Sequence, residues 1–230
     1  MAAFAKAANL GFRFMEIDIQ ATRDEVPVVF HDDGLERLTG RGGSINDAAW
    51  EDLREARVHG REPIPLLEEV LGTWPDLRFI VELKSDRVVE PLAEVLTRTG
   101  ALERVCVGSF DDGRIARMRR LVGPGLCTAL GRRGVARLRL ASLGLPVGRF
   151  AVAAAQVPVR YRGLTVVDRR MIRVARRRGI QIQVWTVNEE PEMDRLIDLG
   201  VDAIITDRPS LLKAVLIRRG LWSLQAEMAP

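Results

Sequence analysis

The sequence predicts an α/β fold: a TIM (β/α)8-type barrel lacking its first strand. Short apolar runs alternate with amphipathic stretches along the chain, which is the pattern of βαβ units and a parallel sheet. The runs that read as main strands number seven, and the chain opens on a helical segment. A closed barrel needs eight strands. The simplest explanation is a first strand upstream of Met1, and an open doubly wound sheet is the competing architecture. No G-x-G-x-x-G or G-x-x-x-x-G-K-[ST] loop favours nucleotide binding. With 230 residues, 47% of them hydrophobic, one domain over 1–230 is expected rather than two.

The elements follow in order. AAFAKAANLG reads as a helix stopped by Gly11. FMEIDIQA and VPVVFHD read as strands joined by a polar turn, the second a satellite of the first. RGGSINDAAWEDLREA gives a glycine turn and a short helix capped by Ser44 or Asn46. PLLEEVLGTW is a second short helix, LRFIVELKS a strand, and RVVEPLAEVLTRTG a helix ended by Gly100. The unit then repeats: RVCVGSF with DDGRIARMRRLVG, GLCTALG with the weaker RRGVARLRLASLG, and a strand within RFAVAAAQVPV before VVDRRMIRVARRRG. IQIQVWTVN precedes EEPEMDRLIDLG, and DAIITD precedes PSLLKAVLIRRG. The tail, LWSLQAEMAP, has no clear period.

Net charge is +4, unevenly spread. Residues 1–100 hold 12 Lys+Arg against 19 Asp+Glu, and residues 101–230 hold 23 against 12. Stretches such as RIARMRRLV and MIRVARRRG place Arg between apolar residues. No aromatic residues interleave with them, so they read as solvated helix faces rather than as a surface for nucleic acid or anionic lipid. Cys106 and Cys127 lie in apolar runs and read as buried free thiols. With no membrane-spanning run and no signal-peptide pattern, a cytoplasmic location and no membrane contact are expected.

Chemistry in a barrel sits at the C-terminal strand ends. Residues two apart on a strand share a face, so Glu16 and Asp18 point the same way, as do Glu82 and Lys84. His31, one of two histidines, ends its own strand and precedes Asp32 and Asp33. Lys84 is one of only three lysines in an arginine-rich chain. If these strands are neighbours, three carboxylates converge beside a Lys and a His. Inward carboxylates are costly unless a cation balances them. An all-oxygen site favours Mg²⁺, Ca²⁺ or Mn²⁺. Simple pairing of Glu16 and Asp18 with Arg13, Arg23 or Lys84 is the alternative. Asp207, before a proline, reads as serving the last turn.

Taken together, AAFAKAANLGFRFMEIDIQATRDEVPVVFHDDGLERLTGRGG, PIPLLEEVL, FIVELKS, VGSF, VWTVN and IITDRP resemble the glycerophosphodiester phosphodiesterase family from about Ala2 to Leu212. The resemblance implies a TIM barrel and a divalent cation, Mg²⁺ or Ca²⁺. It implies hydrolysis of small-molecule glycerophosphodiesters to glycerol 3-phosphate and an alcohol. Carried over by motif, Glu16, Asp18 and Glu82 match metal ligands and His31 one of two catalytic histidines. Lys84 matches a phosphate-contacting cation, and Trp185 and Phe110 aromatic positions near the pocket mouth. Gly34 to Pro65 would fill the family's inserted segment. Family members begin with H-R-G at the end of the first strand, then P-E-N-T; neither occurs here, and His59 is the only other histidine. A catalytically impaired protein that binds metal and phosphodiester is therefore an alternative, and a lysophospholipid phosphodiesterase a further one. An open barrel edge would leave room for a dimer.

Overall fold

In this computed structural model the structure describes residues 1–222. The last eight residues of the predicted aperiodic tail lie outside them. The chain divides into two compact units: Met1–Ala5 with Arg13–Cys127, and Lys6–Phe12 with Thr128 onward. The opening helix α1 (Ala2–Asn9) runs through the first boundary and is followed by Gly11 at φ +96°, a conformation that only glycine adopts without strain.

The first unit is built on a mostly parallel sheet. Strand β1 (Phe14–Ala21) is its second member and β2 (Pro27–Val29) its antiparallel edge, paired Ile19↔Val29. Beyond them the chain makes α2 (Glu36–Thr39), a 3-10 turn (Ile45–Asp47), α3 (Trp50–Leu53), a small hairpin of β3 (Arg57–Val58) and β4 (Glu62–Pro63), and α4 (Leu67–Thr73). This excursion buries its own core of Val28, Phe30, Leu35, Ile45, Leu53, Ala56 and Ile64. Strand β5 (Arg78–Leu83) returns beside β1 in parallel, with Asp18 opposite Glu82. After α5 (Val89–Arg98), β6 (Val105–Gly108) pairs with β5, placing Gly108 opposite Glu82. Helix α6 (Asp112–Val122) and β7 (Cys127–Thr128) complete the order β2-β1-β5-β6-β7.

Local chemistry explains these boundaries. Asp111 caps α6, accepting from the Gly113 N–H at 2.6 Å and the Arg114 N–H at 3.4 Å. Helix α5 buries Val89, Leu92, Val95 and Leu96, a stripe with the 3.6-residue period of a helix packed on one side. Arg104 donates to the carbonyls of Leu71, Trp74 and Leu77 and lies over the Phe79 ring, so one side chain ties α4 to the loop entering β5.

The second unit repeats the pattern. It runs α7 (Arg132–Ser142), β8 (Ala154–Pro158), a hairpin of β9 (Arg160–Tyr161) and β10 (Leu164–Thr165), then α8 (Arg169–Arg177). There follow β11 (Gln181–Trp185), α9 (Glu190–Leu199), β12 (Ala203–Ile204) and α10 (Pro209–Arg218). β11 lies between β12 and β8, parallel to both. Its core joins Ala155, Val157, Ile182 and Val184 of the strands to Leu138, Met171 and Leu196 of the helices. Asp168 caps α8 through the Met171 N–H at 2.8 Å and pairs with Arg139 at 2.6 Å.

The predicted helix–strand alternation is present, with each of the seven main strands where it was expected. Two expectations are corrected. Neither Ser44 nor Asn46 caps a helix: the Ser44 hydroxyl donates to the Asp47 carboxylate, the Asn46 amide reaches Gln20, and the segment breaks into the 3-10 turn and α3. The first N–H of α3 is instead taken by Asp24, 26 residues upstream, at 2.9 Å. His31 does not end a strand but lies two residues past β2.

Candidate active site

Strand β1 alternates buried Met15, Ile17 and Ile19 with Glu16, Asp18 and Gln20. The strand period of two puts all three polar side chains on one face. The parallel register sets Glu82 beside Asp18. One carboxylate oxygen each from Glu16, Asp18 and Glu82 lies within 4.8 Å of the other two. All three residues are half-buried.

Lys84 reaches back into this cluster. Its Nζ stands 3.3 Å from Asp18 Oδ1 and 3.6 Å from Glu82 Oε1. Of the cationic partners considered from sequence, Lys84 is thus the one paired with Asp18, while Arg23 donates to the Asp47 carbonyl. Burial pushes the Glu82 carboxyl above its ordinary range; the Lys84 charge opposes this, and the Asp18 charge adds to it. Burial alone would lower Lys84, but the charges of Asp18 and Glu82 outweigh it and hold the ammonium above its usual value. The loop carrying Lys84 is pinned from α6: Arg114 donates to the Leu83 and Lys84 carbonyls and pairs with Asp86 at 2.6 Å.

Three carboxylates meet here, with the Lys84 ammonium beside two of them. The donors are oxygen only, which suits a hard divalent cation rather than a thiolate- or imidazole-seeking metal. The residues present therefore fit the cation that the sequence motifs imply.

His31 stands beside this cluster. The Phe30 N–H donates to the Asp18 carbonyl at 3.0 Å, fixing the chain one residue before it. His31 Nδ1 is 2.6 Å from Asp32 Oδ1, and Arg37 contacts both Asp32 oxygens at 2.5 and 2.8 Å. Hydrogen bonds from Arg37, then His31, hold the Asp32 carboxyl far below its ordinary range, against a small opposing effect of burial. An ionised carboxylate can only accept, so Nδ1 carries the proton and Nε2 is left as the basic nitrogen. Gln20, fully buried, donates to the Asp32 carbonyl at 3.2 Å and to Asp33 Oδ1 at 2.9 Å, anchoring the loop from β1. Arg37 and Gln20 were not singled out from sequence, and Asp32 was noted there only as the residue after His31, with no role assigned. Gln20 was legible there as the next member of the Glu16, Asp18 alternation; Arg37 was not, because its contact depends on the path of the loop.

Phe110, two residues beyond the Gly108 end of β6, is 42% exposed. The preceding Ser109 hydroxyl donates to the Leu83 carbonyl at 3.0 Å, joining the ends of β5 and β6. In the second unit, Trp185 is the last residue of β11, half-buried and opposite Pro158. Asp207 accepts from Asn188 at 2.8 Å, and its own N–H donates to the Asn188 side-chain oxygen, so it orders the turn before α10 as expected. His59 lies in the β3–β4 turn at φ +50°.

Comparison with known proteins gives one consistent result. The model of the glycerophosphoryl diester phosphodiesterase family matches residues 1–211. The chain is 37% identical to a Mycobacterium tuberculosis protein named "Probable glycerophosphodiester phosphodiesterase 2", over 96% of this chain and 86% of that one. Its fold resembles the glycerophosphoryl diester phosphodiesterase domain of another M. tuberculosis protein, with TM-score 0.78 and 23% identity over 94% of this chain and 92% of that one. It also resembles an Oleispira antarctica phosphodiesterase solved with the product sn-glycerol-3-phosphate, with TM-score 0.77 and 20% identity over 94% and 90% of the two chains. These neighbours are TIM-barrel enzymes, and the fold class of this chain is theirs.

Proposed function

The chain belongs to the glycerophosphoryl diester phosphodiesterase family, whose members are phosphoric diester hydrolases, and from that premise we propose that it hydrolyses glycerophosphodiesters in a divalent-cation-dependent reaction, releasing glycerol 3-phosphate and an alcohol. The observation that carries the reading is the meeting of Glu16, Asp18 and Glu82 within 4.8 Å, with Lys84 bridging Asp18 and Glu82. The product bound by the Oleispira relative supports the choice of substrate class.

Glu16, Asp18 and Glu82 would hold a Mg²⁺, Ca²⁺ or Mn²⁺ ion, which supplies positive charge against the phosphodiester and its transition state. Lys84 adds a fixed ammonium for a non-bridging phosphate oxygen. His31, with Nδ1 committed to Asp32, presents Nε2 to take or return a proton at the attacking or leaving oxygen. Asp32 and Arg37 hold the imidazole in that tautomer, and Phe110 would line the approach. A cytoplasmic setting is part of the proposal, supported by two free thiols.

A second reading is binding of cation and phosphodiester without turnover. His59, the only other histidine, belongs to the β3–β4 turn, so His31 supplies the only imidazole beside the carboxylates. Both readings are tested by following glycerol 3-phosphate release from glycerophosphocholine with Mg²⁺, Ca²⁺ or chelator, beside His31→Ala and Glu82→Ala. Cation-dependent release lost in both variants supports hydrolysis. A folded chain that binds the cation but releases nothing supports the second reading.

A further inference from the structure

The arginines of the chain fall into two groups. Those of α9 and α10 and of the first unit's helices mostly face carboxylates: Arg195 with Glu192, Arg218 with Glu190 and Asp194, Arg219 with Asp194 and Asp198, Arg117 with Glu90. The segment 128–180 is different. It holds thirteen arginines and no lysine, against a single acidic residue, Asp168, which already pairs with Arg139. On α8, Arg169, Arg170, Arg173 and Arg177 are exposed, and none forms an ion pair among the described residues.

Apolar side chains stand exposed beside them. Helices α7 and α8 pack together, and an open hollow between them is lined by Ser142, Leu143, Arg170, Arg173, Val174 and Arg177. Leu143 is 58% exposed, with Leu140 at 44% and Leu145 at 50% on the same turn and its exit loop. Solvated faces, the sequence-based reading of these helices, explain the charge but not three leucines left in water beside it. Exposed leucines rimmed by unpaired cations match the boundary of an anionic bilayer, where acyl chains meet phosphate headgroups. A nucleic-acid surface would instead interleave aromatic side chains for base stacking, and the lining of this hollow holds none.

We propose that the α7–α8 face, with Arg170, Arg173 and Arg177 around Leu143 and with Leu140 exposed one turn before it, docks the protein reversibly on membranes carrying anionic phospholipid. This role is separate from the hydrolytic site, since these residues belong to neither the carboxylate cluster nor the His31 loop. The arginines supply headgroup attraction, and the leucines supply shallow insertion.

The test is co-sedimentation of the full chain with phosphatidylcholine vesicles, with and without phosphatidylglycerol, at low and raised salt. Binding is expected only with phosphatidylglycerol and should weaken with salt. Each arginine near such a surface is worth about fivefold in partitioning, so Arg170→Gln, Arg173→Gln and Arg177→Gln together should cost about a hundredfold. Leu140→Ser with Leu143→Ser should remove the binding that survives raised salt. Circular dichroism, and activity on soluble glycerophosphocholine where the parent shows any, should be unchanged in both variants. Absence of binding by the parent chain overturns the proposal, as does equal binding by the triple variant. Binding of a single-stranded oligonucleotide in place of vesicles would overturn it in favour of a nucleic-acid surface.

Discussion

His31 Nδ1 lies 2.6 Å from Asp32 Oδ1, and that contact decides which nitrogen of the imidazole is available for chemistry. Because Arg37 keeps Asp32 ionised, Asp32 accepts, Nδ1 donates, and Nε2 is the free base.

Replacing Asp32 by Asn leaves a side chain that can present either an oxygen or an amide to His31, so the tautomer is no longer fixed. The expected result is a fall in kcat with little change in KM. It should be smaller than the loss in His31→Ala, for which about 10²–10⁴-fold is typical of a general acid–base group. Steady-state kinetics on glycerophosphocholine measures both. An Asp32→Asn enzyme with unchanged kcat would remove Asp32 from the positioning role.

The same cluster sets an acid limit on stability. The Asp32 carboxyl is held below its ordinary value of 3.8 by hydrogen bonds from Arg37, then from His31. A carboxyl depressed in the folded state stabilises the fold above its unfolded pKa, and the contribution fades as pH falls through and below that value. Arg37→Ala should therefore lower Tm at about pH 6, and the deficit should shrink towards about pH 3. A deficit that stays constant over this range would mean that Arg37 acts through packing alone.

Cys106 on β6 and Cys127 on the neighbouring β7 are free thiols that share a hydrogen bond. The Cys106 thiol donates a hydrogen bond that lowers Cys127 to about 7; burial opposes this, and the Arg119 charge assists. That hydrogen bond, reinforced by burial, holds Cys106 far above its usual range. Iodoacetamide should thus modify Cys127 first, with a rate that rises through about pH 7 as the thiolate forms. Cys106→Ala removes the donor and should move that midpoint upward. Peptide mass mapping after timed alkylation checks both, and equal labelling of the two thiols would refute the assignment.

Most of the scaffold was legible because its signals are local. The alternation in FMEIDIQA fixes both the strand and the shared face of Glu16 and Asp18, and Gly11 and Gly100 end their helices at positive φ. The excursion between β2 and β5 was harder to read. Its β3–β4 hairpin has two-residue strands, and α3 takes its capping acceptor from Asp24, far outside any local window. The β9–β10 hairpin is equally short, and Arg160–Tyr161 carries no alternation to betray it. In the site, the carboxylates were visible as strand residues, whereas the Arg37 contact with Asp32 arises only once the loop has folded back.

Lys84 gives the sharpest test of the carboxylate cluster. It is the cation that bridges Asp18 and Glu82, at 3.3 and 3.6 Å, and the side chains involved are only 16–21% exposed. Lys84→Met keeps much of the volume and removes the charge, leaving half-buried carboxylates to repel one another. Breaking a fully buried pair costs about 3–5 kcal/mol. Partial exposure makes this case smaller, and at about 2–4 °C per kcal/mol a drop in Tm of several degrees is expected in chelator. A divalent cation held by Glu16, Asp18 and Glu82 would replace the missing charge, so Mg²⁺ or Ca²⁺ should raise Tm more in Lys84→Met than in the parent. Activity should remain low even with the cation, because the ammonium for the phosphate oxygen is gone, and Lys84→Arg should restore part of it. Differential scanning fluorimetry with and without cation separates these effects. Equal Tm gains in parent and variant would show that Lys84 and the cation do not share the carboxylates, and the site would have to be redrawn.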